Sequence, residues 1–332
     1  MPPDRVRAGL RRAQSLAALV GILLLAIVIS PTASDGSRIF LEAGNLTDIL
    51  RQVSLIGIIS LAMTFVILTG GIDLSVGSIL ALSTALTAMF LTRGYTTHIA
   101  VAILAAVAAA ALAGALNGVV IARTGIQPFI VTLASMIGVR GLAKWLTNNQ
   151  NIDIGFGKDL AAEFAAIFRE KAIVIGAYAA AAALFWVVLA RTVFGRHVRA
   201  VGDNEKAAEY AGLPIRATKI RVYALSGLFT GVAGVLYAAE NHQGNPNAGV
   251  AYELDAIAAV VIGGTLLSGG VGFMAGTLMG VLILGLIQTL ITFQGNLNTW
   301  WTRIVVGLLV LLFILLQNLI SFVSGRLSVA KK

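Results

Sequence analysis

Long apolar runs separated by short polar segments dominate the pattern along the chain. Ten of these runs approach the roughly 20 residues that a helix needs to cross a bilayer, and glycine interrupts several of them. The pattern predicts an all-α polytopic membrane protein of about ten transmembrane helices, a single transmembrane domain over residues 1–332 with its bundle at 14–321. The predicted spans are 14–31, 46–69, 74–92, 98–122, 127–147, 172–190, 219–240, 253–268, 272–293 and 300–321.

The first apolar run has two interpretations. Basic residues at positions 5–12 precede the apolar run from Leu16 to Ile29, which is also the layout of a secretory signal peptide with cleavage near Ala33. Because many further apolar runs follow, we interpret this run as a retained first transmembrane helix.

The charge pattern predicts the orientation. Only 12% of residues are charged against 58% hydrophobic, so the polar residues are too few to cover a water-soluble globule. With the N-terminus in the cytoplasm, 15 of the 24 lysines and arginines lie on that side, as the positive-inside rule requires. Both termini are therefore predicted to lie on the cytoplasmic side of an inner membrane. Orientation accounts for the net charge of +9, which removes the main argument for a nucleic-acid partner.

Composition excludes several kinds of chemistry. The chain has no cysteine and only three scattered histidines, so it offers no thiolate or histidine-cluster metal site. No lysine is followed by Ser or Thr, so the phosphate-binding GxxxxGK[ST] pattern is absent. No nucleophile and base, or paired carboxylates, stand at useful spacing. We expect a transport protein without a cofactor, metal or catalytic site, in which any ATP and Mg²⁺ are bound by partner subunits.

A glycine-rich break occurs twice. The segment TGGIDLSVGS (69–78) separates two apolar runs, and LTGGIDLSVGSI (68–79) aligns with LSGGVGFMAGTL (267–278) at an offset of 199 residues. Unwound backbone at membrane depth must be buried in protein or face a water-filled cavity. The recurrence favours a duplicated transporter bundle, although small residues that simply allow close helix packing remain the alternative. Asp73 lies beside the first break and is interpreted either as the N-cap of the next helix or as a contact for a polar solute.

Two loops are long enough to carry function. In the predicted cytoplasmic loop 191–221, DNEKAAEYAGLP is typical of a short helix with Asp203 as N-cap, Gly212 at its C-terminal end and Pro214 beyond. This helix either inserts into a cytoplasmic partner or is a plain connector on the lipid surface. The predicted periplasmic loop 148–171 contains an amphipathic helix that suits the membrane interface, with an apolar face of Leu160, Phe164, Ile167 and Phe168.

Four motifs resemble the permeases of bacterial ABC importers for monosaccharides, the ribose, xylose, arabinose and galactofuranose group. They are MTFVILTGGIDLSVGSILAL (63–82), GIQPFIVTLASMIGVRGLA (125–143), AVGDNEKAAEYAGL (200–213) and ELDAIAAVVIGGTLLSGGVG (253–272). GGTLLSGGVG followed by FQGNLNTWWTRI (293–304) is most similar to one of the two permeases of a galactofuranose importer. The resemblance implies a permease dimer of identical or paralogous chains, cytoplasmic ATPase subunits and a periplasmic sugar-binding protein.

Two groups of site residues follow. The resemblance places the ATPase-coupling helix at Asp203, Asn204, Glu205, Ala207, Ala208 and Gly212, where we expect bulky charged replacements of Ala208 or Gly212 to leave the fold intact. Polarity near the spans predicts a translocation pathway lined by Asp73, Ser75, Asn117, Gln127 and Phe129. A secondary transporter or channel for small polar solutes is the alternative function, but it leaves the coupling loop unexplained.

Overall fold

A computed structural model describes residues 3–32, 36–155, 159–294 and 300–329, with side chains described between residues 13 and 316 of these ranges. Lys158 and the segment 295–299 of the predicted outer loops lie outside the described residues. The helices are α1 (Pro3–Ile29), α2 (Ala43–Leu68), α3 (Val76–Thr92), α4 (Ile99–Thr124), α5 (Pro128–Thr147), α6 (Leu160–Phe168), α7 (Lys171–Arg191), α8 (Val193–Asp203), α9 (Glu205–Tyr210), α10 (Ile215–Glu240), α11 (Tyr252–Ile262), α12 (Met274–Phe293) and α13 (Trp300–Val329), with a 3₁₀ turn at Ile39–Leu41 and two strands, β1 (Ile152–Asp153) and β2 (Gln243–Gly244).

Each predicted span overlaps one helix, which confirms a helical polytopic membrane protein. Within the described chain, six helices (α2, α4, α5, α7, α10 and α12) are long and apolar enough to cross a membrane. The eighth predicted span, 253–268, forms only the 11-residue helix α11, which rises about 16 Å against a hydrocarbon core of about 30 Å. The apolar run is longer than the helix because Gly263 ends it and Gly264 adopts φ +91°. The count of ten crossings and the sides of the termini stay predictions.

Helix α2 lies in the centre of the bundle because it is apolar on all sides. Every residue from Gly57 to Leu68 is buried, in contact with neighbours that include α7, α10, α11 and α12. A helix without a polar face is stable only where protein or lipid surrounds it completely. Both glycine breaks are therefore anchored to an interior helix.

Paired glycines bring α4 and α10 into close contact along their length. Gly114 of α4 faces Gly227 of α10, while Gly118 packs on Ile220 of α10 and Gly231 packs on Ala110 of α4. Gly114 and Gly118, and likewise Gly227 and Gly231, stand in GxxxG spacing. A Cβ added at Gly114 would lie 2.9 Å from the Gly227 Cα, so only hydrogen side chains allow this approach. Because lipid offers no hydrophobic drive for helix association, this close packing fixes the pair.

A small cap covers the ends of α3, α4 and α10 that the predicted orientation places on the outer side. The cap consists of α6 and the antiparallel strands β1 and β2, which pair Ile152 with Gly244. The Asp159 Oδ1 accepts a hydrogen bond from the Ala162 N–H at 2.9 Å and begins α6. Phe164 is fully buried against alanines of the bundle, so α6 packs on protein through part of its predicted interfacial face. Two-residue strands carry too little sequence pattern to be predicted.

Candidate functional site

The two glycine breaks lie in contact with each other. Gly70 (φ +76°) and Gly269 (φ +89°) occupy equivalent positions at the 199-residue offset. A Cβ at Gly269 would lie 2.9 Å from the Gly70 backbone nitrogen, and the Gly270 N–H donates to the Leu68 carbonyl oxygen at 2.9 Å. Positive φ and close backbone approach both require glycine here. The recurring motif therefore forms one joint structure instead of two separate breaks.

The C-terminal end of α8 packs against this joint. A Cβ added at Gly202 would collide with the Leu68 carbonyl oxygen and lie 2.6 Å from the Gly270 nitrogen. A Cβ at Gly270 would in turn lie 2.8 Å from the Asp203 Cα. We call the four glycines Gly70, Gly202, Gly269 and Gly270 the glycine junction. Through it, the predicted cytoplasmic loop touches both breaks.

Helix α9 is capped at both ends, and the structure corrects its first residue. The N-cap is Asn204, whose Oδ1 accepts from the Ala207 N–H at 2.9 Å, whereas Asp203 is the last residue of α8. At the other end Gly212 has φ +74°, its N–H donates to the Glu209 carbonyl at 2.9 Å, and the Leu213 N–H donates to the Ala208 carbonyl at 3.0 Å. This is a Schellman motif, and it confirms the predicted C-terminal glycine.

One face of α9 is buried and the other is exposed. Ala208 is only 4% exposed, so a bulky charged residue there would disturb packing, and Gly212 needs its positive φ. The expectation that both positions tolerate such changes is wrong for these reasons. Tyr210 is 89% exposed, and the Lys219 Nζ of α10 lies 2.7 Å from the Glu205 Oε1. Sequence reasoning missed Tyr210, although an aromatic side chain in a short charged loop helix is a usable signal.

A buried hydrogen-bond network surrounds Asp73. Its Oδ1 accepts from the Ser75 N–H at 3.0 Å and from the Ser75 Oγ at 2.6 Å, and its Oδ2 accepts from the Ser226 Oγ at 2.8 Å. The Asn117 Nδ2 donates to the Ser75 Oγ at 2.9 Å. Asp73 and Ser75 are fully buried and Asn117 is 4% exposed. These four residues, the Asp73 network, join the first break to α4 and α10.

The network corrects the capping interpretation. The N-cap of α3 is Ser75, and Asp73 stabilises the helix start by accepting the N–H of that residue. Sequence reasoning missed Ser226, which lies 153 residues away on α10.

The other two predicted pathway residues lie elsewhere. Gln127 is exposed at the start of α5 and Phe129 is 47% exposed, so neither joins the Asp73 network. Helix α5 is tied to the break by the Thr132 Oγ1, which lies 3.1 Å from the Ile72 carbonyl oxygen. The predicted residues thus form two layers, a buried one at the break and an exposed one on α5.

Comparison with known proteins identifies relatives that align with most of the chain. A family model described as a branched-chain amino acid transport system / permease component matches residues 45–314. The ribose import permease of Bacillus subtilis is 41% identical over 315 residues, covering 92% of this chain and 93% of the relative. The L-arabinose ABC transporter permease of Azospirillum brasilense is 37% identical, covering 95% of this chain and 91% of the relative. The fructose import permease of Rhizobium meliloti is 34% identical, covering 92% and 85%.

No solved structure matches the chain. The family model covers most of the sequence, and relatives named for three monosaccharides align over more than nine-tenths of it. The chain therefore belongs to the family of membrane-spanning permeases of ABC importers for monosaccharides.

Proposed function

We propose that this chain forms the membrane pathway of an inner-membrane monosaccharide importer that separate ATPase subunits drive through α9. The observation that carries the proposal is the packing of the C-terminal end of α8, at Gly202 and Asp203, against both glycine breaks. A plain connector has no need to insert between two broken helices of the bundle. A coupling element needs such a contact, because a movement imposed at the cytoplasmic surface must reach the pathway.

The coupling route that we propose has three contiguous steps. Tyr210 and the exposed face of α9 bind the ATPase, and α8 moves as a lever because α9 follows it after a single residue. Gly202 then transmits the movement to Leu68 and Gly270, the ends of the two breaks. Asp73 lies in the first break, five residues after Leu68. A displacement of Leu68 therefore reaches the Asp73 network last, and this network fixes α3 against α4 and α10. Such a chain of packed contacts is a physical basis for coupling if it has two arrangements that the ATPase and the pathway both bias.

The translocation pathway is proposed to run beside α5. Asp73, Ser75 and Asn117 form the inner layer behind this helix, and Gln127 with Phe129 forms the exposed layer. The exposed layer would face the second permease, identical or paralogous, across a central path. Rearrangement of the break would then change the position of α5 through the bond between Thr132 and Ile72. This is alternating access, with one site exposed in turn to each side.

The partners follow from the same proposal. ATP and Mg²⁺ are bound by the ATPase subunits, and this chain carries neither a cofactor nor an ATPase site. A periplasmic sugar-binding protein delivers the sugar to the end that carries α6 and the β1–β2 pair. Among substrates, the FQGNLNTWWTRI match makes galactofuranose the first candidate, and the names of the relatives add ribose, L-arabinose and fructose.

Transport in a reconstituted system tests the proposal. The chain is purified from its host with its associated subunits, placed in proteoliposomes with the binding protein and supplied with each of the four sugars. We expect uptake of one or more sugars that requires ATP hydrolysis and stops when the ATPase is inactivated. Uptake that continues without ATP, or that follows an ion gradient, would instead establish a channel or secondary transporter.

A further inference from the structure

A polar cavity of about 480 Å³ lies inside this single chain, away from the Asp73 network. Its walls come from the halves of α2, α10, α11, α12 and α13 that lie nearest the β1–β2 end of the bundle. The volume is within the range of small-molecule sites, which are concave and hold a few converging polar groups. A concave space with many polar groups is unusual in an apolar bundle, so it requires a reason.

The charges around the cavity cancel. Of the described residues that line it, five are ionisable acids or bases with a full charge: Asp48, Arg51, Glu240, Asp255 and Arg303. Arg51 lies 2.9 Å from Glu240, and Arg303 lies 2.6 Å from Asp255. Asp48 is paired with Lys171, whose Nζ is 2.5 Å away. Among the described residues that line the cavity, each cation has an acidic partner and none is left to hold a phosphate or a lipid headgroup, so the cavity suits a neutral ligand.

The other polar groups suit a molecule with many hydroxyls. Gln52, Asn241, Gln288 and Thr302 line the cavity, and each offers both a donor and an acceptor, as a sugar hydroxyl does. Tyr237 and Tyr252 line it as well, with ring centroids 6.5 Å apart and planes at 75°. Aromatic faces pack on the C–H faces of a ring while their hydroxyls stay available for hydrogen bonds.

We propose that this cavity binds a neutral monosaccharide, so that each permease chain holds sugar at its outer end before the sugar enters the shared path. The assignment rests on the proposed import function and adds to it a location within one chain. The two ion pairs connect the helices that form the cavity walls: Arg51–Glu240 joins α2 to α10, and Arg303–Asp255 joins α13 to α11. They hold the walls apart at fixed spacing while the amide and phenol groups contact the ligand.

Because the chain has no native cysteine, single cysteines report on the cavity without background. Gln288→Cys places a thiol in the cavity wall, and Gln294→Cys places one on the exposed end of the same helix as a matched control. Labelling by a membrane-impermeant maleimide is followed in proteoliposomes that contain the transporter complex, with and without millimolar ribose, L-arabinose or fructose. We expect at least one neutral sugar to slow labelling at position 288 severalfold and to leave position 294 unchanged.

Several results would overturn the assignment. No protection at position 288, equal slowing at both positions, or equal protection by ribose 5-phosphate would each show that the cavity is not a neutral-sugar site. If uptake proceeds while position 288 is indifferent to sugar, the import function stands and the cavity assignment fails. If position 288 is protected but no sugar is imported, the binding site stands and the import function fails.

Uptake kinetics give a second readout. Gln288→Leu removes one amide from the wall, and loss of one hydrogen-bonding group is expected to raise the sugar concentration for half-maximal uptake about tenfold. Gln294→Leu, the matched control, should leave this concentration unchanged. Both variants should be recovered with the associated subunits in equal yield and with equal melting temperature, which separates a binding defect from misfolding. An unchanged half-maximal concentration for Gln288→Leu would contradict the proposal.

Discussion

The Gly202→Ala substitution is the sharpest test of the coupling route. A Cβ at this position collides with the Leu68 carbonyl oxygen and lies 2.6 Å from the Gly270 nitrogen, whereas ordinary van der Waals contact begins at 3.4 Å. Gly270 alone would have to move about 0.8 Å, and the Leu68 side of the joint would have to move farther. Overpacking of this kind costs about 1–3 kcal/mol, which the chain can relieve by moving α8 out of the junction.

A free-energy change of about 1–3 kcal/mol shifts a coupled equilibrium by about 5- to 150-fold. We therefore expect Gly202→Ala to lower the number of sugars imported per ATP hydrolysed by about that factor, while the ATPase subunits still assemble and hydrolyse ATP. The assay compares ATP hydrolysis with sugar uptake in the same proteoliposomes.

The matched control is Gly176→Ala in α7, where an added Cβ meets nothing within 4 Å. This change should leave the ratio of uptake to hydrolysis unchanged, because alanine is only a better helix former at that site. A wild-type ratio in Gly202→Ala, in a variant that is stably folded, would refute the proposed route through the glycine junction.

Three further predictions concern the network, the coupling helix and the packing of the bundle. Asp73→Ala leaves buried donors unpaired and should lower the free energy of unfolding in detergent by about 3 kcal/mol or more, whereas Asp73→Asn should lower it less. Equal melting temperatures of Asp73→Ala and the wild type would contradict the network. Tyr210→Ala should change stability by less than about 0.5 kcal/mol, because the side chain is 89% exposed, yet weaken ATPase association about tenfold or more in co-purification. Gly114→Leu should separate α4 from α10, costing about 1–3 kcal/mol, while Gly138→Leu, at an open position, should not; similar melting temperatures for the two would argue against the packing.

The sequence predicted the helices well because apolar runs of membrane length are a strong local signal. Among the predicted spans the exception is 253–268, where the apolar run continues past Gly263 and Gly264 although the helix ends there. Helix α8, in the polar loop, was not predicted. Helix ends that depend on neighbouring backbone are harder to predict from sequence. Asp203 and Asn204 are both good N-cap residues, but α8 extends through Asp203, so Asn204 is the N-cap of α9.

Contacts between distant segments were beyond the sequence. The offset of 199 residues indicated two similar breaks, but their contact through Gly70 and Gly269, and the insertion of Gly202, depend on tertiary packing. Ser226 was missed for the same reason, since a serine in an apolar helix has no local mark of its partner. Polarity alone grouped Gln127 with Asp73, whereas burial separates them.

Cross-linking from α9 tests the central claim most directly. A photoactivatable cross-linker is attached to Tyr210→Cys in the otherwise cysteine-free chain. The control is Trp145→Cys, because the Trp145 side chain is 74% exposed and lies at the opposite end of the bundle. After illumination in native membranes, mass spectrometry identifies the captured proteins. We predict that position 210 captures an ATPase with a phosphate-binding GxxxxGK[ST] motif and that position 145 does not. Capture of lipid alone at position 210, or of the same proteins at both positions, would contradict ATP-driven coupling through α9.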